Sequence, residues 1–178
     1  MAQRSNPGRA DIAVGGESTT TTPVATLTRP ATVTPYAVGD EMTDTGGLIL
    51  QFAGCASAPG QGGTITGLLV TCSSSPATKL SAELRLYHTT STPLADNGIW
   101  NANSTVNRTL VAVLPFSVAL GAGASGSEVN CVYDLSGLNI LYKCAPADTK
   151  LYGRIQVKNA YTPVSGEIWE FTPRLLVD

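Results

Sequence analysis

The chain has 178 residues, of which 43% are apolar and only 13% charged, with a formal charge of −2, 18 glycines, 11 prolines, four cysteines and one histidine. The length suits one domain with a tail, and near-neutral charge is the wrong balance for a nucleic-acid surface, which shows itself as clustered lysine and arginine. No apolar run of about 18 residues is present to span a bilayer, and no apolar segment near Met1 marks a secretory precursor; so low a charge content, against ~25% in ordinary domains, implies a surface of serine, threonine and asparagine or a surface covered by something else.

Residues 1–23 read as an extended arm. Arg4, Gly8, Arg9, Asp11, Gly15 and Gly16 are mixed with few apolar groups, and Thr19, Thr20, Thr21 and Thr22 lead into Pro23. No helical or alternating period runs through this stretch, so it buries too little surface to offset its chain entropy. Ile12 and Val14 are its bulky apolar side chains.

From Val24 onward, short apolar runs alternate with glycine, proline, serine, asparagine and aspartate. The runs at 24–29, 36–40, 48–52 and 64–72 are strand-like. The clearest alternation is at 80–88, where Leu80, Ala82, Leu84 and Leu86 share one face and Ser81, Glu83, Arg85 and Tyr87 the other. That period of two marks a half-buried strand of an antiparallel sheet. A Thr-, Asn- and Pro-rich connection follows at 89–108, with room for one helical turn near 94–100. Further strands are predicted at 110–114 (closed by Pro115), 128–133 and 138–142, with a flexible glycine-rich loop at 121–126. At 151–158, Leu151, Gly153, Ile155 and Val157 face inward and Tyr152, Arg154, Gln156 and Lys158 outward. The last strand or strand pair covers 167–171 and 174–177, with Pro173 marking a bulge or an edge.

No 11-residue window carries a 3.6-residue period. Eight or more short strands imply an all-β fold, an antiparallel β-sandwich or a barrel. A jelly-roll-like sandwich over 24–178, preceded by the arm at 1–23, is the best-sized version. Aromatics at 6% are too few to line a lipocalin-type cavity.

Little chemistry is visible. His88, the sole imidazole, ends the strongest strand, and no G-x-S-x-G surrounds any serine, so a nucleophile–base pair has no obvious members. The acids are scattered: Asp40, Glu41 and Asp44 read as turn-forming acids in solvent without a calcium-loop pattern, and Glu167 and Glu170 fall on opposite faces of one strand. The glycine-rich stretches at 60–63 and 121–126 lack the Lys-Ser/Thr and helix of a phosphate cradle. Asn103 and Asn107 match the glycosylation sequon but sit in an Asn/Thr-rich loop. Cys55, Cys72, Cys131 and Cys144 lack the close spacing of zinc ligands. Four cysteines allow three disulfide pairings, among which sequence does not choose, and the plain reading is buried thiols acting as small hydrophobes. No catalytic residue, cofactor or metal site is expected.

Several segments together look familiar. Residues 27–40 (LTRPATVTPYAVGD) resemble the opening of a group of small tailed-bacteriophage virion proteins, roughly T-R-P-A-x-x-x-x-Y-x-x-G-D. Residues 63–67 (GTITG), 84–89 (LRLYHT), 93–97 (PLADN), 151–153 (LYG) and 160–166 (AYTPVSG) resemble the same group in the same order. Such proteins are capsid decoration or cement proteins. The resemblance implies a jelly-roll-like sandwich assembling as a homodimer or homotrimer on the outer surface of a phage head. The partner would be the major capsid protein, with no nucleic acid, membrane or cofactor involved. The arm precedes the shared pattern, so no role transfers to it. On its own residues, Arg4, Arg9, Ile12 and Val14 are the candidate capsid and neighbour contacts.

A second expectation is a head-fibre or tail-fibre host-binding module with a lectin-like sandwich. Sugar sites favour exposed aromatics beside Asp, Asn and Gly, and Asp96, Asn97, Gly98 and Trp100 offer that combination, although Trp100 reads more readily as packing the long loop onto the sandwich. A small-molecule hydrolase is discouraged by the lone histidine and scattered acids.

Overall fold

Period-two alternation sets which way each strand faces, and in this chain it builds two antiparallel sheets closed over one apolar core. The computed structural model describes residues 19–74, 76, 78–117 and 131–178. The candidate contacts Arg4, Arg9, Ile12 and Val14, the loop at 121–126 and the start of the strand expected at 128–133 lie outside the described residues.

In chain order the elements are β1 (Thr19–Thr21), β2 (Ala25–Thr28), β3 (Asp40–Met42), β4 (Leu50–Phe52), β5 (Gly62–Cys72), β6 (Ala82–Tyr87), β7 (Gly98–Ile99), the helical turn α1 (Ser104–Asn107), β8 (Leu110–Phe116), β9 (Cys131–Lys143), β10 (Leu151–Val157) and β11 (Ile168–Val177). The first sheet runs β1-β11-β5-β9, with β2 also on β11; the second runs β7-β3-β10-β6-β8, with β4 also on β10. The pairing describes one long ribbon folded at the β6–β8 connection. β6 pairs β8, β5 pairs β9, β3 and β4 pair β10, and β1 and β2 pair β11, all antiparallel. Wrapping the ribbon then adds the β11–β5 and β10–β6 ladders.

The strand run therefore begins before Val24. Thr19–Thr21, read from sequence as part of the arm, pairs with Val177, Leu176 and Leu175. The interruption between β1 and β2 has a chemical cause. Thr21 opposes Leu175 and Ala25 opposes Phe171, so Pro23 and Pro173 share one register position. Neither has an N–H to give, and the ladder lapses there. The register shift in β11 against β5 falls one residue on, between Arg174 and Leu175. Predicted runs at 167–171 and 174–177 are thus one strand, and the described part of the run at 128–133, Cys131–Tyr133, is joined to 138–142 in β9. Pro115 does not close β8 but lies within it, tolerated because β8 is an edge strand. The helical turn sits at Ser104–Asn107 rather than near 94–100, where Asn103 accepts from Val106 N at 2.9 Å as its N-cap.

The inward residues of both alternating strands pack as predicted: Leu80, Ala82, Leu84, Leu86, Leu151, Ile155 and Val157 are all buried. Phe116, beside Ala82 in the same sheet, meets Tyr133, Trp169 and Phe171 of the facing sheet in an aromatic group of edge-to-face, tilted and stacked contacts with centroids 5.2–6.5 Å apart. Gly63 is fixed by close approach: a Cβ there would lie 1.9 Å from the Leu176 carbonyl oxygen. Leu84 is fully buried in this core, and Leu84→Ala is expected to cost about 2–5 kcal/mol in urea unfolding, by lost transfer energy and residual cavity.

Candidate functional site

The outer face of the second sheet does not stay open to water. Arg85 and Arg154 are register partners on β6 and β10, so alternation places two cations side by side, an arrangement that is destabilising unless compensated. Compensation comes from three directions. Glu41, on β3, binds Arg154 in a two-bond fork, with Nε and Nη2 each donating at 2.6 Å, and the pair is almost wholly buried. Glu83 accepts from Arg85 Nε and Nη2 at 3.1 and 2.8 Å, and Lys158 lies 3.1 Å from the same oxygen. The Trp100 ring lies against both guanidinium groups, 5.0 Å from Arg85 and 4.5 Å from Arg154, a double cation–π contact.

Trp100 arrives there because the 89–100 connection is hooked to β3. Leu94 N donates to the Glu41 carboxylate at 2.9 Å and Asn97 N to the Glu41 carbonyl at 3.0 Å. β7 then pairs with Asp40 and Glu41. Asn97 takes φ of 65° to make the turn, a conformation asparagine tolerates better than most residues, and its side chain donates to the Pro35 carbonyl. Tyr87 and Arg154, assigned to the outer face by alternation, do lie on it, but both are buried beneath this cover. The sequence expectation for Asp40 and Glu41 is overturned: they are buried strand residues rather than solvated turn acids, Asp40 accepting from Ala37 N at 2.7 Å. Asp44 does form a turn, accepting from Gly46 N and Leu48 N.

A second buried cluster gathers residues far apart in sequence. Arg29 Nε donates to the Tyr36 hydroxyl at 2.6 Å and Arg29 Nη2 to Asp96 at 3.0 Å. Tyr36 donates to Asp96, and Thr43 N adds a further bond to Asp96 at 3.1 Å. Tyr36 stacks on Tyr161, whose hydroxyl donates to Glu167 at 2.8 Å; Ser74 donates to the same carboxylate at 2.8 Å. Glu167 in turn lies 3.9 Å from Arg29. Burial works against the Arg29 charge, but Tyr36 and Asp96 outweigh it and raise its pKa. Burial, reinforced by the bond to Asp96, pushes the Tyr36 phenol far up; burial and the Glu167 charge do the same to Tyr161. Both phenols are therefore fixed hydrogen-bond donors. The segments 27–40, 93–97 and 160–166, singled out in the sequence as a collinear pattern, supply Arg29, Tyr36, Asp96 and Tyr161 and so converge on this one cluster.

Among the described residues, the groups singled out in the sequence for chemistry or sugar binding fall in different places. Asp96 is taken up by Arg29, Tyr36 and Thr43, and Trp100 by two arginines, so the combination read as a sugar site serves the interior of the loop. His88 is half-buried; its N–H backbone group donates to the Thr109 carbonyl, while its Nδ1 has no partner and no ion pair reaches it among the described residues. Asn107 donates to Ala102 O. Glu170 is exposed on the strand. Among the described residues no group of three or more His, Cys, Asp and Glu is placed to hold a metal ion. Sequence reasoning missed the Glu41–Arg154 pair; its one signal was an acid and an arginine on short strands of a chain otherwise poor in charge.

Two shallow grooves meet at Asp44. One, of about 290 Å³, runs between β2 and β4 and is lined by Val24, Thr26, Leu48 and Gln51. A second, of about 430 Å³, lies between Pro30, Gly47, Thr92 and Leu94, and the two share Asp44. Val24 and Leu48, both more than half exposed, line the first groove; Ile99 is exposed on β7 opposite Asp40, and Leu141 is exposed on β9 at the outer end of the first sheet.

Compared with known proteins, the chain matches no protein-family model and no curated protein.

Two stability outcomes follow. Glu41→Gln leaves Arg154 buried and uncompensated and is expected to cost about 3–5 kcal/mol in denaturant unfolding; the double variant with Arg154→Met should lose markedly less than the sum of the two single losses. For Glu83, burial disfavours its charge, but the bonds from Arg85 and Lys158 prevail and lower its pKa. A carboxylate depressed in the folded state contributes stability above its unfolded pKa and loses it as pH falls through the folded one. Glu83→Gln should therefore flatten the acid limb of stability against pH, read by urea midpoints below neutral pH.

Proposed function

We propose that this chain is a structural virion protein, a cement or decoration subunit that binds the outer surface of a bacteriophage head and bridges neighbouring major capsid protein subunits as a homodimer or homotrimer. The observation that carries this reading is the division of labour among side chains. Two charged and aromatic clusters, Glu41–Arg154 with Trp100 and Arg29–Tyr36–Asp96, are engaged internally, whereas Val24 and Leu48 stand exposed on either side of one groove and Ile99 and Leu141 stand exposed on β7 and β9. A rolled antiparallel ribbon is the arrangement of a jelly roll, and it supplies a rigid body for adhesion. The collinear resemblance to small phage virion proteins supports the same role. Repeated by the symmetry of a shell, modest contacts of this kind add to large avidity without a deep pocket, and the bound state is stabilised by mass action. The fibre-tip alternative gains nothing from the loop that suggested it, since Asp96 and Trp100 are occupied internally.

The test is binding of the full chain to purified heads of the phage that encodes it, after the resident copy has been stripped. Saturable, symmetric occupancy and a higher temperature of genome release are expected. A variant lacking residues 1–18, which keeps β1 intact, should bind with reduced occupancy if Arg4, Arg9, Ile12 and Val14 make contacts. Equal occupancy would remove the arm from the interface, and no binding of the full chain to any head would overturn the assignment.

A further inference from the structure

Sequence left three ways to pair four cysteines; the fold leaves one. Cys72 is the last residue of β5 and lies directly opposite Cys131, the first residue of β9. Both side chains point into the core and are 2% exposed. Residues directly opposed in an antiparallel ladder have Cα atoms about 4.5–5.5 Å apart, inside the roughly 4.4–6.8 Å range that a disulfide spans. At the other end of β9, Cys144 is the residue after the strand. Tyr142, two residues before it on β9, donates its hydroxyl to the Cys55 carbonyl at 2.5 Å, which brings Cys55 to this end of β9, and the neighbouring Cys144 adds to the upward push of burial on the Cys55 thiol. Cys55 and Cys144 are likewise buried, and none of the four thiols is in a disulfide. The alternatives fail on length. Cys131 and Cys144 bracket a 13-residue strand, on the order of 40 Å at strand rise, so any pairing that joins one end of β9 to the other is out of reach.

We propose that Cys72–Cys131 and Cys55–Cys144 are two latent disulfides that close in oxidising surroundings and clamp both ends of β9 to the sandwich.

β9 is the element that has most to gain. It is the outer strand of the first sheet, held by β5 along one side. Its ladder is broken in the middle, where Ile65 pairs Ile140 and Gly67 pairs Ser136, leaving 137–139 opposite Thr66 alone. Gly137 turns there with φ of 73°, and Leu141 is 79% exposed. Edge strands with interrupted pairing open at lower free energy than central ones. The two bonds would be nested, 72–131 within 55–144, as the ribbon itself is nested, and neither requires its strands to cross.

The chemistry is thiol–disulfide exchange with a low-molecular-weight disulfide such as oxidised glutathione. One cysteine thiolate attacks a reagent sulfur and expels one glutathione. Its partner then attacks the protein sulfur of the mixed disulfide and expels the second. Two protein thiols are oxidised, one glutathione disulfide is reduced, and the two thiol protons end on the released glutathione. Burial pushes the Cys55 and Cys72 thiols up to about 12 and Cys144 to about 11. Thiolate is therefore scarce at neutral pH, and closure proceeds through opening of the β9 ends.

The experiment incubates the full, reduced chain with oxidised glutathione under native conditions. The protein is then unfolded in an alkylating agent and its unreduced peptides are mapped by mass spectrometry. Expected are two cross-linked peptide pairs, 72 with 131 and 55 with 144, a net loss of four hydrogens and no retained glutathione. The thermal midpoint should rise by roughly 5–15 °C per bond and return on reduction. Cys72→Ser should abolish the first cross-link and keep the second; Cys144→Ser should do the reverse. Four alkylated cysteines after long oxidation, stable glutathione adducts, or any other pairing would overturn the proposal, and the unmutated chain decides this even if a variant fails to fold.

Discussion

The Glu41–Arg154 pair is the constraint on which the outer architecture depends. Alternation in β10 sends Arg154 away from the core, and the antiparallel register sets it beside Arg85. Left in water this would be an ordinary charged sheet surface. Instead Glu41 is drawn against Arg154 in a buried fork. A buried ion pair gains little over apolar packing, but it is costly to leave half made. Its remaining acceptor capacity must then be met, and Leu94 N meets it. That bond, together with Asn97 N on the Glu41 carbonyl, forms only when the 89–100 connection lies in one place. A long segment without regular structure is thereby given a single path, and Trp100 closes it by covering both guanidinium groups.

The same economy governs the other edge. β1 and β2 are one strand interrupted at a proline, and β11 carries a proline at the matching position, so the two missing donors coincide instead of leaving carbonyls orphaned in two places. β3 and β4 are likewise two parts of one interrupted strand on β10, with β7 added outside β3. There the register differs by six residues across the break, Met42 opposing Ile155 and Leu50 opposing Gly153. The surplus residues form the Asp44 turn, which lines both grooves. Sheet edges that would otherwise offer long free ladders are thus broken into short pieces.

Most of the sheet content was legible because inward positions on β5, β6, β10 and β11 repeat with period two, a signal carried by burial itself. Thr19–Thr21 was not legible, because three threonines alternate nothing; their strand exists only through β11. Tyr87 and Arg154 were assigned the correct face and the wrong exposure, since alternation reports direction and says nothing of what a distant loop lays on top. Asp40 and Glu41 were misread for the same reason: adjacent acids beside glycine look like a turn until an arginine more than a hundred residues away is brought to one of them. That Cys72 stands opposite Cys131 was invisible in spacing and follows at once from the β5–β9 register.

These features bear together on what the molecule can do. A chain with only 13% charged residues also withdraws Arg29, Asp40, Glu41, Arg154 and Glu167 from its surface, so the face it presents is poorer in charge than its composition suggests. Charge withdrawn in this way is spent largely on holding neighbouring segments in place. The collinear segments that first drew attention place Arg29, Tyr36, Asp96 and Tyr161 in one such cluster. A pattern whose members meet at a buried clamp reports the maintenance of a shape. What is left outside is a sparsely charged surface carrying scattered apolar side chains over a rigid pair of sheets, the kind of exterior that the proposed adhesive role requires.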